Sequence, residues 1–446
     1  MSLVRKIIHG ISSRLPQSLH KFLSSFYNGR GIISLFNEFG VCAMLREIIF
    51  RKYTGVKEYR HLRKKLDFVR TQSEITVVFQ VWNIAKWKCD SVYRAMKQHN
   101  RFQPLIWITD EPGASLDEQR NMRLKLKNHF NSSVYSVVEA KNWADLDKII
   151  KTDIVFIQDH YPRYPLNAIS NVLGRLICNV RYSYPNTIVK ESHNYFLANY
   201  SVFYFLENFS VEKEQKKMMS SNGRNMVVTG HPIADGLLHK KIENPSVWKS
   251  DKADLKKIIW APHWTILDDA CFYSSTFLTY SQNMVDFAIK YQDCLQIAFK
   301  PHPTLYRTLC SHPDWGKSKT DAYYAQWESM PNTQLEVGAY ESLFIQSDAI
   351  IHDCGSFIIE YLLVDKPCMF IEKGNGYPYF NEMSKAALEC YVIGHSIDDI
   401  ERFILEEVLK GDDSKRDKRR RYRNEYLIPP NEKTAAENII AAILEN

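Results

Sequence analysis

From Ile75 onward the chain alternates short runs of β-branched and aromatic residues with longer stretches of helical spacing, and after a polar interval the alternation begins again. "ITVVFQV" (75–81), "PLIWIT" (104–109) and "DIVFIQ" (153–158) read as buried strands, separated by the helical "KWKCDSVYRAMKQH", "SLDEQRNMRLKLKNHF" and "DLDKIIK". The polar stretch 239–254 reads as a linker. Beyond it "KKIIWAP" (256–262), "LQIAFKPHP" (295–303), "SDAIIHD" (347–353) and "PCMFI" (367–371) alternate with helices at "MVDFAIKY", "GSFIIEYLLV" and "SIDDIERFILEEVLK". Strands that alternate with helices build parallel sheets covered on both faces. The pattern therefore predicts two α/β domains, over residues 71–240 and 241–446. Ligands are expected in the cleft where the carboxyl ends of their strands face each other.

Charge separates the first 70 residues from the rest. They carry 14 Lys and Arg against 4 Asp and Glu, so their +10 exceeds the whole chain's +7 and leaves −3 beyond residue 70. Basicity is thus a local property and argues against nucleic acid as the partner. "SLVRKIIHGISSRLPQSLHKFLSSFY" mixes Leu, Ile and Phe with Arg5, Lys6, Arg14 and Lys21, the composition of a basic helical arm that lies on anionic lipid or docks on the protein's own body. No apolar run reaches the ~18 residues of a membrane span. The nine cysteines are scattered, without metal-ligand spacing, and read as reduced thiols. These features predict a cytoplasmic protein, peripheral on the membrane's inner face if the arm binds lipid.

Four strand-end loops carry candidate chemistry. In "SDAIIHDCGSFIIE" a strand runs through the turn Asp353-Cys354-Gly355-Ser356 into a helix whose free N–H groups attract an anion. Gly355 lets a phosphate approach and Ser356 donates to it, with Asp353 counted among the substrate-contacting residues of that turn. Glu360 lies one helical turn on from Ser356 and suits the vicinal hydroxyls of a ribose. In "FKPHP" two prolines fix His302 at a strand end, where it can donate to a leaving diphosphate or act as general acid beside Lys300. "WAPHWTI" offers His263 to phosphate and Trp264 to a base. "TGHPIAD" closes the first domain, and its His231 reads as a hinge residue.

Together "TGHPIAD", "WAPHW", "KPHP" and "SDAIIHDCGSFIIEYLLVDKP", with the closing "NEKTAAENIIAAI", resemble the CDP-glycerol glycerophosphotransferases that build teichoic-acid-like and capsular polymers. The resemblance covers mainly residues 225–446. It implies a GT-B fold, donor binding by the second domain, and a displacement that uses neither cofactor nor metal. Where that family usually has Asp-Tyr-Ser-Ser this chain has Asp353-Cys354-Gly355-Ser356, its later Asp is Glu360, and the Arg after its Trp is Thr265. The family's Trp-His-Gly acceptor motif has no match. His160 in "QDHYPRYP" and His193 in "KESHNYF" are the candidates for the acceptor base, His193 being favoured for its polar neighbours.

The expected activity is transfer of an alditol phosphate from a CDP-activated donor to a glycan or lipid-linked acceptor, with release of CMP. The alternatives are a GT-B glycosyltransferase using a nucleotide sugar, a nucleotide-sugar epimerase and a non-catalytic binding module. For the arm, the full chain is expected to sediment with acidic-lipid vesicles at low salt and to be released as the Debye length shortens toward ~8 Å at 0.15 M salt. A chain starting at Gly31 should lose the binding. Sedimentation that is unchanged by salt or by the truncation would instead favour an arm docked on the protein itself.

Overall fold

The computed structural model describes residues 55–110, 114–158, 165–167, 169–188, 193–239, 246–250, 252, 254–266, 275–373 and 380–445. The basic arm at residues 1–30 lies outside them. Both predicted sheets are present, each entirely parallel.

In the first, β1 (Ile75–Val81) pairs on one side with β2 (Phe102–Ile108) and β3 (Val137–Val138). On the other side come β4 (Ile154–Ile157), β5 (Leu176–Val180), β6 (Phe203–Leu206) and β7 (Met226–Val228). The second repeats the plan: β8 (Lys256–Ala261) pairs with β9 (Leu295–Phe299) and then β10 (Thr333–Leu335) on one side. Its other side carries β11 (Ala349–His352), β12 (Cys368–Ile371) and β13 (Val392–Gly394). The central strands are continuous apolar runs because helices cover both faces. In each sheet the strand order reverses beside the first strand, between β1 and β4 and between β8 and β11. Such reversal points open crevices at the strands' carboxyl ends.

Two helices show how the chain's ends join the first sheet. Helix α1 (Gly55–Arg70) buries Leu62, Leu66 and Val69, at positions four and three apart, in the core under that sheet. Residues 55–70 therefore pack with the first domain rather than with a separate arm. After β1 the expected single helix is split: Asn83 caps a short 3₁₀ turn at Ile84–Lys86, and helix α2 begins only at Asp90 (Asp90–Gln98). The other end of the chain crosses over from the second sheet. Its last helix places Ala436, Ile439 and Ile443 in the first core, and Arg70 donates to the carbonyls of Ile443 and Ala442 at its C-terminus, the end that favours a cation.

The "TGHPIAD" stretch anchors that crossover. Gly230 has φ of +84°, and a Cβ there would sit 2.7 Å from Pro429. His231 is buried; its Nε2–H donates to the Arg181 carbonyl at 2.9 Å while Nδ1 accepts from Ile233 N–H. Asp235, on helix α3 (Ile233–Leu238), accepts from the N–H groups of Ala435 and Ala436 at 2.7 and 3.0 Å. Those are orphan donors at the start of helix α4 (Ala435–Leu444), so the carboxylate caps a helix 200 residues away and sits at its positive end. Asp235→Ala should then lower unfolding free energy by ~1–3 kcal/mol, the cost of leaving buried donors unmatched. Chemical denaturation measures this, and a loss near zero would mean that the cap does not hold the crossover.

Candidate active site at the strand ends

The two loops flanking the second reversal point are held by one carboxylate. Asp353, immediately after β11, is 2 % exposed. It accepts from His263 N–H at 2.5 Å, from Thr276 N–H at 2.6 Å and from the Thr276 hydroxyl at 2.9 Å. Burial raises its pKa to about 6 and those hydrogen bonds work against the rise. Asp353 therefore braces the loops after β8 and β11 and faces inward, which corrects its expected place among the substrate contacts.

The loop after β9 joins this frame from the other side, because His302 N–H donates to the Pro262 carbonyl at 3.0 Å. Thr304 N–H donates to His302 Nδ1 at 3.1 Å, which leaves the ring's proton on Nε2. The rings of His263 and His302 meet edge to face at 5.0 Å, and the indole of Trp264 is 6.2 Å from His302. His263 Nδ1 pairs with the Thr265 hydroxyl at 2.8 Å. Burial lowers the His263 pKa to about 4. Burial, then the neighbouring His263, Lys86 and Lys300, holds His302 well below the ordinary value. At neutral pH His302 is thus a neutral donor through Nε2–H. An anion placed between these groups would favour the charged form and raise the pKa.

The structure brings His263, Trp264 and His302 together, ties them through Asp353 to the turn that carries Gly355 and Ser356, and sets other predicted residues apart. Gly355 and Ser356 are half-buried at the turn, and a Cβ on Gly355 would lie 2.7 Å from Asn186 Nδ2 of the first domain. The backbone opening at this turn is therefore shared with a side chain from across the cleft. The expected long helix after Ser356 is a four-residue α segment (Phe357–Glu360) that continues as a 3₁₀ turn. Lys300 is buried behind the crevice, donating to the Gly338 carbonyl at 2.7 Å, and burial brings its pKa down to about 8.

Glu360 does not share the open face of Ser356. It is 1 % exposed, Oε2 accepts from the Tyr340 hydroxyl, and burial raises its pKa to about 7 against the pull of Lys88. The carboxylate is therefore held by an internal contact through Oε2, not presented on the open face expected of it, while Oε1 has no hydrogen-bond partner among the described residues. His193 is likewise sealed, 2 % exposed. Its Nε2–H donates to the Thr187 carbonyl at 2.6 Å while Nδ1 accepts from Gln215 at 2.8 Å and Arg181 at 3.0 Å. Burial, then the Arg181 charge, lowers its pKa to about 3. With both nitrogens occupied it has no lone pair for an acceptor's proton, contrary to the sequence-based preference. His160 lies outside the described residues.

Sequence reasoning missed the contribution of "NIAKWKCD" to the cleft. Lys88, 4 % exposed, reaches Glu341 at 3.4 Å and lies 4.1 Å over the Tyr340 ring of the second domain. Lys86 stands 4.0 Å over Trp82 and 4.4 Å over Tyr182. The available signal was two lysines directly after a buried strand, at the edge where ligands bind. The two domains also meet where Asn381 donates to the carbonyls of Asn186 and Pro185, at 3.1 and 2.8 Å.

The sequence profile of CDP-glycerol:poly(glycerophosphate) glycerophosphotransferase matches residues 63–445, both sheets and the crossover helix included. The chain belongs to this family. It is a transferase, and the likeness seen in the sequence over residues 225–446 extends through the first domain. No curated protein matches the sequence. Among solved structures, the wall teichoic acid polymerase TagF is 14 % identical with a TM-score of 0.56, over 90 % of this chain and 96 % of TagF. A TagF variant soaked with CDPG is 13 % identical with a TM-score of 0.57, over the same shares. S. aureus MnaA with UDP is 14 % identical with a TM-score of 0.50, over 83 % of this chain and 96 % of MnaA. At such identities the likeness is one of fold, the GT-B arrangement of two facing α/β domains.

The protonation states of the family member's site give a prediction. If the anionic donor raises the pKa of His302, binding takes up a proton, so affinity for CDP-glycerol should rise as pH falls from 8 toward 6. His302→Ala should flatten that dependence and lower turnover by ~100-fold, the scale of one electrostatic or acid group. Calorimetry and steady-state rates across pH are the measurements. Turnover within threefold of wild type would remove His302 from the chemistry.

Proposed function

We propose that this transferase moves glycerol phosphate from CDP-glycerol to a hydroxyl of a glycan or lipid-linked acceptor and releases CMP. The observation that carries this reading is the family match across both domains; the CDPG soaked into TagF supports the donor. The crevice has the chemistry such a donor needs. His302 Nε2–H, the Ser356 hydroxyl and the backbone N–H groups of its turn are donors for the diphosphate, with the charge of Lys300 behind them.

The acceptor oxygen attacks the β-phosphorus and the bond from that phosphorus to the bridging oxygen breaks. The electron pair leaves with CMP, and the hydroxyl proton passes to a base on the first domain. Since His193 is fully engaged, the base in this proposal is His160, two residues beyond Gln158 in sequence. Trp264 is at the right edge to cover the nucleotide base. The reading puts the protein in the cytoplasm. The basic segment 1–30 is the part that would meet the inner membrane surface. Among the described residues no helix is long and apolar enough to cross a membrane.

The test is release of CMP from CDP-glycerol by the purified chain, with and without a lipid-extract acceptor, beside panels of UDP- and GDP-sugars. Acceptor-dependent CMP release is expected. Release of UDP or GDP, or rearrangement of a nucleotide sugar without acceptor, would overturn the reading in favour of a glycosyltransferase or an epimerase.

A further inference from the structure

Asn186 brings a polar group of the first domain to the Gly355–Ser356 turn of the second. It lies between β5 and β6, and the chain around it is tied across the cleft. The carbonyls of Pro185 and Asn186 accept from Asn381 Nδ2 and N–H at 2.8 and 3.1 Å, and Thr187 forms an antiparallel bridge with Phe380. Asn381 is itself buried and caps the helix Glu382–Leu388, its Oδ1 accepting from Ser384 N–H at 2.8 Å. The backbone of Asn186 is therefore fixed, and its side chain takes no part in fixing it. That carboxamide is half-buried and makes no hydrogen bond to a described residue.

The turn has room for this amide. A Cβ on Gly355 would meet Asn186 Nδ2 at 2.7 Å and Asn186 Cγ at 3.9 Å, and apart from its chain neighbours no other described group within 4 Å. Gly355 is not among the glycines of positive φ, so its backbone would accept an L residue. Glycine at this place thus provides space rather than a special torsion, and Nδ2 lies in the space that a short side chain at 355 would use. The position is one residue before Ser356, whose hydroxyl faces the same turn. A carboxamide that turns its NH₂ to an anion donates up to two hydrogen bonds. Unlike the backbone amides of the turn, this donor is supplied only while the two domains meet.

We propose that Asn186 is a contact to the donor's diphosphate, made by the first domain on a substrate held by the second, and that Gly355 leaves the opening for it. The inference rests on the reading of CDP-glycerol as donor and adds a residue to that site. Because the acceptor approaches from the first domain, a group from that domain meets the phosphate that is attacked, the one bearing glycerol. The diphosphate then bridges the Ser356 hydroxyl on one side and Asn186 Nδ2 on the other. Donor binding in this way favours the arrangement in which the two domains meet, since only that arrangement completes the contact.

The experiment titrates the full chain with CDP-glycerol, CDP and CMP by calorimetry, with substitutions on both sides of the contact. Asn186→Ala should weaken CDP-glycerol and CDP about tenfold, the scale of one hydrogen bond to a charged group, while CMP changes less than threefold. Its denaturation midpoint should hold, because the cross-domain tie uses the backbone of Asn186. Gly355→Ala pushes the amide aside and supplies no donor, so it should weaken the same two ligands to a similar extent, and the two changes together should lose no more than either alone. Gly355→Ser combined with Asn186→Ala places a hydroxyl in the vacated space and should recover most of the loss. A change below threefold in Asn186→Ala, equal losses for CMP and CDP, a lowered midpoint or additive losses in the double variant would each overturn the contact. Binding of a UDP- or GDP-sugar in place of CDP-glycerol, with the same dependence on Asn186, would support the contact and overturn the transfer reading instead.

Discussion

Asp353 is the interaction on which the donor crevice depends. A carboxylate removed from water is unfavourable unless donors replace its hydration, and here two backbone N–H groups and a hydroxyl do so. Those donors belong to the loop after β8 and to the N-cap residue of the helix at Phe277–Lys290, while the carboxylate follows β11. Three chain segments are thereby fixed against one another at the point where the strand order reverses. His302 is added by a backbone hydrogen bond to Pro262, so the ring that faces the crevice is positioned by main-chain contacts on both sides. The residue that the turn's sequence offered as a ligand contact is instead what makes the turn rigid.

The electrostatics follow from the same burial. His263 and His302 are both kept neutral, chiefly by burial, with Lys86 and Lys300 adding to the effect on His302. Cations are contributed by both domains. Lys300 is anchored to carbonyls of the loop after β10, and Lys88 bridges to Glu341 across the cleft. The two domains therefore meet through the Lys88–Glu341 ion pair as well as through the strap formed by Pro185, Asn186 and Asn381. The strap holds Asn186 by its backbone, and its side-chain amide lies against Gly355, where a Cβ would have to displace it.

Much of the fold was legible because it is periodic. Apolar runs such as "ITVVFQV" and "LQIAF" are too regular to be anything but buried strands, and their alternation with helices implies parallel sheets. The short strands β3, β7, β10 and β13 were harder to see, since two or three residues carry no period. The crossover of the last helix was also hidden, because its partners Asp235 and Arg70 lie hundreds of residues away in the chain. At the site, "KPHP" and the Asp353–Ser356 turn stood out through their proline, glycine and charge content at strand ends. Lys86 and Lys88 did not, since a lysine in a loop is not distinctive without its neighbours.

The sequence by itself determined the two α/β domains, the basic first 70 residues, the strand-end loops that hold the candidate residues and the family to which the chain belongs, because hydrophobic period and local turn composition are properties of neighbouring residues. Only the tertiary structure decided what individual polar side chains do there. His193, Glu360 and Asp353 have the residue types of catalytic or ligand groups, yet each is enclosed and bound to partners from other elements. Lys88 looks ordinary, yet it is buried and reaches Glu341 and Tyr340 of the second domain. A side chain's protonation state and its free valences depend on burial and on groups distant in the chain, and no local pattern in the sequence encodes either.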